Sequence, residues 1–146
     1  MLMCGRFSQT QDAAAIARAF QLSTLPDVVP RYNIAPSQPV GAILQTANQT
    51  ERHFRLLQWG LVPFWAKDPK LGTRMINARS ETVTEKPAFR AAFRYRRCLI
   101  PADGFYEWQK QGSKRKQPFH VCLKHHQPFA FAGLWESWQS SDGSIL

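Results

Sequence analysis

Cys4 lies in Met3-Cys4-Gly5-Arg6-Phe7, almost at the start of the chain. With Met3 as the first residue, removal of the methionine leaves Cys4 carrying an α-amine and a thiol on adjacent carbons. A free amine titrates near about 8 and a thiol near about 8.5, so both are partly deprotonated around neutrality. Such a 1,2-aminothiol takes up an aldehyde in two steps. The amine condenses to a Schiff base with loss of water, and the thiol then adds to the imine carbon and closes a thiazolidine ring. A cysteine near a chain end is otherwise an ordinary feature of a loose terminus. Gly5 allows close backbone approach and Arg6 adds a fixed positive charge, which together suit a phosphate-bearing electrophile.

Three further segments carry groups that could serve this chemistry. Trp59-Gly60-Leu61-Val62-Pro63-Phe64-Trp65-Ala66-Lys67 sets aromatic rings beside a cation in a loop broken by Pro and Gly. Rings interleaved with cations suit single-stranded nucleic acid, because every base has a face to stack. Trp59 is expected in the core, and Phe64 and Trp65 are the stacking candidates. Arg74-Met75-Ile76-Asn77-Ala78-Arg79-Ser80-Glu81 could clamp phosphate oxygens through Arg74 and Arg79 while Asn77 orients a sugar oxygen. Arginines on a solvated face are the plainer alternative. In Pro101-Ala102-Asp103-Gly104-Phe105-Tyr106-Glu107-Trp108, Glu107 falls on a strand among aromatics and suits proton transfer, while Asp103 is expected to serve the turn.

The elements that must position these groups are short. The chain has 146 residues, the length of one domain, and 44% hydrophobic residues, enough for a packed core. Nineteen Lys and Arg against ten Asp and Glu leave a charge of +9, which favours polyanionic partners, nucleic acid above all. No apolar run approaches the about 18 residues of a membrane span, and no secretory h-region opens the chain. A cytoplasmic, soluble protein with no membrane partner is therefore expected. Cys4, Cys98 and Cys122 are widely spaced free thiols without a CxxC cluster, so neither a metal nor another cofactor is invoked. The adjacent pair His125-His126 reads as a surface turn.

Thr10 to Phe20 reads as a helix with Ile16 and Phe20 on one face. Pro26 to Pro39 reads as an irregular but ordered connection. Val40 to Thr46 and His53 to Trp59 read as strands joined by a turn at Ala47-Asn48-Gln49. Pro87 opens a second helix through Phe93. Strands are expected at Cys98 to Ile100, Phe105 to Gln109, Phe119 to Lys124 and Phe129 to Trp135, with a basic hairpin loop over Gly112 to Lys116. This is an α+β pattern dominated by antiparallel strands. Ser141-Asp142-Gly143-Ser144 is a turn signal that Ile145-Leu146 would follow as a strand, so residues 1–146 are expected to form one domain cut short at its C-terminal end. Phe129 to Trp135 would then be left with an open edge.

These segments together resemble the SRAP family of abasic-site processing proteins. The resemblance runs through Met3-Cys4-Gly5-Arg6, Arg31-Tyr32-Asn33-Ile34-Ala35-Pro36, Trp59-Gly60-Leu61-Val62-Pro63-Phe64-Trp65-Ala66, Asn77-Ala78-Arg79-Ser80-Glu81-Thr82, Arg97-Cys98-Leu99-Ile100-Pro101-Ala102-Asp103-Gly104-Phe105-Tyr106-Glu107-Trp108 and Phe131-Ala132-Gly133-Leu134-Trp135-Glu136. It implies a compact, strand-rich α+β fold with a barrel-like core and a positively charged DNA channel. It further implies that Cys4 forms a thiazolidine crosslink with the ring-opened sugar of an abasic site in single-stranded DNA. Asn77 would hold the sugar, Glu107 would assist proton transfer, and Arg6 and Arg79 would bind phosphates. Phe64 and Trp65 would stack on bases. Autopeptidase and lyase-type activity and an association with the SOS damage response belong to the same expectation.

The family's catalytic histidine stands in a His-x-Arg-Met-Pro motif after the Leu-Trp-Glu segment. None of His53, His120, His125 or His126 has that context, so crosslink formation or reversal is expected to be impaired. Met1-Leu2 ahead of Met3 would leave the Cys4 nitrogen acylated unless the leader is absent or cleaved. Two other functions fit parts of the pattern: a non-covalent binder of single-stranded nucleic acid, and an N-terminal-nucleophile amidohydrolase. The first would be indifferent to Cys4. The second has no need of the basic, Arg- and Trp-rich loops.

Overall fold

A computed structural model describes residues 4–45, 50–112, 115–140, 143 and 145. The strands are β1 (Phe7–Gln9), β2 (Arg31–Ile34), β3 (Pro39–Leu44), β4 (His53–Gln58), β5 (Arg97–Ala102), β6 (Gly104–Gln111), β7 (Arg115–Val121) and β8 (Phe129–Leu134). Two helices, α1 (Ala13–Phe20) and α2 (Arg90–Tyr95), and short 3-10 turns at Pro69–Arg74 and Lys124–His126 complete them. The strands form two four-stranded sheets, ordered β2-β1-β6-β7 and β4-β3-β5-β8, with antiparallel pairing throughout. The expected α+β, strand-dominated class is the one observed.

The chain passes from one sheet to the other at Asp103, the single residue between β5 and β6. Strands that bend between sheets in this way make the corners of a two-sheet core. Phe7, Ile34, Val40 and Ala102 are buried there, and Cys4, Trp59, Ile100, Phe105, Phe129 and Phe131 pack against them. The rings meet edge to face, with centroids 5.4 Å apart for Phe7 and Trp59 and 5.7 Å for Phe7 and Phe131. Such edge contacts suit the ring quadrupoles and add to the area buried. Cys4 thus borders the aromatic core.

Several element boundaries differ from expectation for identifiable reasons. The helix at Thr10 begins only at Ala13, because Thr10 and Gln11 give their N–H groups to Asp103 and Asp12 caps the helix, accepting from Ala15 N–H at 2.7 Å. The Pro26 to Pro39 connection is not wholly irregular. It contains β2, which the cross-strand partner β1 holds through Phe7 opposite Ile34. Pro87 lies in the turn before α2, and the helical hydrogen bonding starts with Arg90 N–H to Lys86 C=O at 2.9 Å. β7 starts at Arg115, earlier than expected, since pairing with β6 extends the hairpin to Gln111 opposite Arg115. It also ends earlier, at Val121. His125 and His126 sit in an exposed turn with φ of 61° and 52°. The expected Ala47-Asn48-Gln49 turn and most of the 141–146 segment lie outside the described residues. β8 ends its sheet, and among the described residues no strand pairs its outer edge.

Candidate active site

Cys4 is half-buried and its thiol donates to the Arg6 carbonyl at 3.4 Å. Its own carbonyl accepts from Asn77 Nδ2 at 2.7 Å. Burial beside the aromatic core pushes the thiol above its ordinary value, the Arg6 hydrogen bond acts in the opposite direction, and the Glu107 charge raises it further. The thiol is therefore protonated at neutral pH, and a negative group lies near enough to be felt by it. Cys98, buried in an apolar setting, is pushed up to about 11 by desolvation and is an inert core thiol.

Asn77 reaches Cys4 because its segment is stitched to the Trp59 loop. Trp59 Nε1 donates to the Ile76 carbonyl at 2.7 Å and Leu61 N–H to the Met75 carbonyl at 3.1 Å. Trp59 N–H in turn bonds the Gln38 carbonyl at 3.0 Å, tying the loop to the start of β3. Gly60 makes the approach possible. Its φ is +134°, and a Cβ there would lie 2.6 Å from the Gly72 carbonyl oxygen. Trp59, expected in the core, packs against it as well as holding the site.

A cavity of about 550 Å³ opens beside these groups, lined by Cys4, Phe7, Trp59, Asn77, Ile100 and Phe131 among others. Its walls are mostly apolar, as suits a pocket that keeps water from a reacting centre. Of the expected site residues, Cys4 and Asn77 line it, while Glu107 acts on the thiol from β6. Arg6, Phe64, Trp65, Arg74 and Arg79 stand outside it on the surface. Phe64 and Trp65 are 64% and 50% exposed, in a loop anchored beneath by Val62, Ala66 and Trp138. Trp138 Nε1 donates to the Ala66 carbonyl at 2.7 Å.

One contributor was not singled out by residue type. Asn33 accepts from Arg6 Nη1 at 3.0 Å and so aims that guanidinium. The signal was present in the Arg31 to Pro36 motif, but nothing in the sequence joins it to Arg6. Asp103 does more than serve a turn. It is 4% exposed and accepts from Ser8 Oγ at 2.6 Å, Thr10 Oγ1 at 2.7 Å, and the N–H groups of Thr10 and Gln11. Burial alone would raise its carboxyl, but these hydrogen bonds outweigh burial and hold it below the usual value. His120 Nε2 lies 2.9 Å from Ser8 Oγ. Since the Ser8 proton is given to Asp103, the ring nitrogen donates to the hydroxyl, and the trio is a structural relay rather than an activated serine. Among the described residues no three His, Cys, Asp or Glu side chains gather as a metal would require.

The fold and this half-buried thiol define a two-sheet α+β protein with Cys4 in the wall of a mostly apolar cavity. Residues 3–146 match the family described as SOS response associated peptidase (SRAP). The chain belongs to this family. It is similar to the abasic site processing protein YoaM of Bacillus subtilis (strain 168), with 46% identity over 99% of this chain and 64% of the relative. The abasic site processing protein YedK of Escherichia coli (strain K12) is 34% identical over 99% of this chain and 66% of its own length. A solved protein from Bacteroides thetaiotaomicron has the same fold, with a TM-score of 0.82 at 24% identity over 97% of this chain and 64% of its own. The chain thus spans just under two thirds of YoaM.

Proposed function

We propose that this protein processes abasic sites in single-stranded DNA by covalent capture at Cys4. The observation that carries the proposal is the pairing of Asn77 with Cys4 in the wall of a mostly apolar cavity. The relatives named as abasic site processing proteins and the net charge of +9 support it. The ring-opened sugar of an abasic site offers a free aldehyde. The Cys4 amine attacks this carbon, and loss of water gives a Schiff base. The thiol then adds across the C=N bond: the C–S bond forms, the thiol proton passes by way of Glu107 to the nitrogen, and the ring nitrogen ends as a neutral secondary amine.

Because the thiol is kept protonated, the amine is the first nucleophile and the thiol the second. Asn77 fixes the Cys4 backbone and presents a donor to the sugar oxygen. Arg6, Arg74 and Arg79 take the flanking phosphates, and Phe64 and Trp65 stack on unpaired bases. The reaction requires the Cys4 nitrogen as a free amine, and exposing it by removing the preceding residues is the peptidase-type step included in the proposal. Denaturing electrophoresis of the protein with abasic single-stranded DNA tests it. A heat-stable shifted band that needs both the abasic site and Cys4 supports capture. A band of equal intensity with undamaged DNA, or none from a chain beginning at Cys4, refutes it.

A further inference from the structure

We propose that Asp103 is a positioning residue for Cys4, locking β1 onto β6 in the one register that brings Glu107 to the Cys4 thiol. The proposal rests on the capture function above and adds a residue on which that reaction depends. Phe7 lies opposite Phe105 and Ser8 opposite Gly104, and Tyr106 N–H donates to the Arg6 carbonyl at 2.9 Å. Continued one step, this antiparallel ladder sets Gly5 opposite Glu107, next to Cys4. The Glu107 charge reaches the thiol from there.

The ladder alone is too short to hold that register. β1 has three residues, pairs with β6 at two positions, and shifts its pairing with β2 between Phe7 and Gln9. A slip of one residue would turn Phe7 out of the core and move Cys4 one place along from Glu107. The bonds that resist it lie at the corner where β5 passes into β6. Asp103 N–H donates to the Ser8 carbonyl at 3.0 Å, and Ser8 Oγ donates to Asp103 Oδ1 at 2.6 Å. Oδ2 accepts from Thr10 Oγ1 at 2.7 Å, from Gln11 N–H at 3.2 Å and from Thr10 N–H.

A carboxylate that served its own turn would bond an N–H two residues on. Among the described residues the donors to Asp103 belong instead to Ser8, Thr10 and Gln11, on the stretch that leads from Cys4. Ser8 and Asp103 are 2% and 4% exposed, and a Cβ on Gly104 would overlap the His120 ring, so the clamp is shielded from water. A slipped strand would leave a buried charge without its donors, and that penalty keeps β1 in a single register. Asn77 fixes the other end of the stretch through the Cys4 carbonyl at 2.7 Å. Cys4 stands four residues before Ser8 and Glu107 four beyond Asp103, about 13 Å at about 3.3 Å per residue. Over that span Asp103 acts on the thiol through the register of the two strands.

The test uses chains beginning at Cys4 and follows single-turnover capture of an abasic strand, affinity for an undamaged strand, and alkylation of Cys4 by iodoacetamide. Asp103→Asn is expected to slow capture about 10-fold or more, as small misplacements of reacting groups do, with affinity for the undamaged strand within about 2-fold. Glu107→Gln, expected to quicken alkylation severalfold in the wild type, is expected to change it less than about 2-fold beside Asp103→Asn. A residue that only stabilised the fold would leave that coupling intact. Thr10→Val and Thr10→Ser probe the clamp with one bond at stake, and decide the matter if Asp103→Asn does not fold. Thr10→Val is expected to slow capture about 3-fold or more, and Thr10→Ser, which keeps the hydroxyl, to match the wild type. Undiminished capture in Asp103→Asn, an equal effect of Glu107→Gln on alkylation in both backgrounds, or equal rates for Thr10→Val and Thr10→Ser would overturn the positioning role. A wild type that captures no abasic strand, while its alkylation coupling depends on Asp103, would refute capture and leave the clamp standing.

Discussion

Asn77 Nδ2 donates to the Cys4 carbonyl oxygen at 2.7 Å, joining residues 73 positions apart. The bond fixes the backbone that carries the Cys4 nitrogen and thiol. Asn77→Ala and Asn77→Asp each remove the donor, and a net hydrogen bond of about 1 kcal/mol corresponds to about 5-fold. Capture of an abasic strand by either variant is expected to slow by about 5-fold or more, with thermal stability close to wild type. Single-turnover gel kinetics check this; a wild-type rate in Asn77→Asp would show that the donor plays no part.

Glu107 and Cys4 make a prediction with opposite signs in two assays. The Glu107 charge disfavours the thiolate, so Glu107→Gln lowers the Cys4 pKa and increases the thiolate present at a given pH. Alkylation of Cys4 by iodoacetamide at pH 7.5, followed by peptide mass mapping, is therefore expected to quicken severalfold. Capture of the abasic strand is expected to slow by about 10-fold or more, because the acceptor for the thiol proton is gone. Both rates moving the same way would contradict the assigned role.

Much of this fold could be read from local pattern. The strands around Val40, His53, Phe105 and Phe129 alternate or run apolar, and the α1 stretch carries Ile16 at helical spacing. β1 and β2, of three and four residues, have too little sequence for a period, and only their cross-strand partners make them strands. The bond between Asn77 and Cys4 and the aiming of Arg6 by Asn33 are long-range contacts that composition does not encode. Asp103 shows the same limit. Asp-Gly marks a turn, but the donors that gather on its carboxylate arrive from β1 and the link between β1 and α1.

Asp103 also predicts a pH dependence of stability. Its folded pKa lies below the ordinary carboxyl value of 3.8, so its contribution is present above that value and is lost as pH falls through the folded pKa. Asp103→Asn keeps the shape but weakens the acceptor for Ser8, Thr10 and Gln11. At pH 7 it is expected to cost about 2–4 kcal/mol in urea unfolding, and the difference should shrink as pH falls through the folded pKa. An equal cost at neutral and acid pH would show that the charge contributes nothing.

Trp65 and Phe64 separate binding from folding. Both rings are more than half or half exposed, so truncation should change stability by less than about 0.5 kcal/mol. Loss of one stacking ring costs about 1–3 kcal/mol of single-strand binding, or about 5-fold to 150-fold in affinity. Anisotropy titration of Trp65→Ala with an undamaged single strand measures it. Unchanged affinity would remove this loop from the DNA path.

The central claim is that Cys4 becomes joined to the abasic sugar through both its nitrogen and its sulfur. Intact mass spectrometry of the heat-treated product between a chain beginning at Cys4 and an abasic single strand tests it most directly. The expected mass is the sum of the two partners less one water, with the Cys4 thiol no longer open to iodoacetamide, and with no such product from Cys4→Ala. A product that forms equally well in Cys4→Ala, or one whose Cys4 thiol still alkylates, would contradict it.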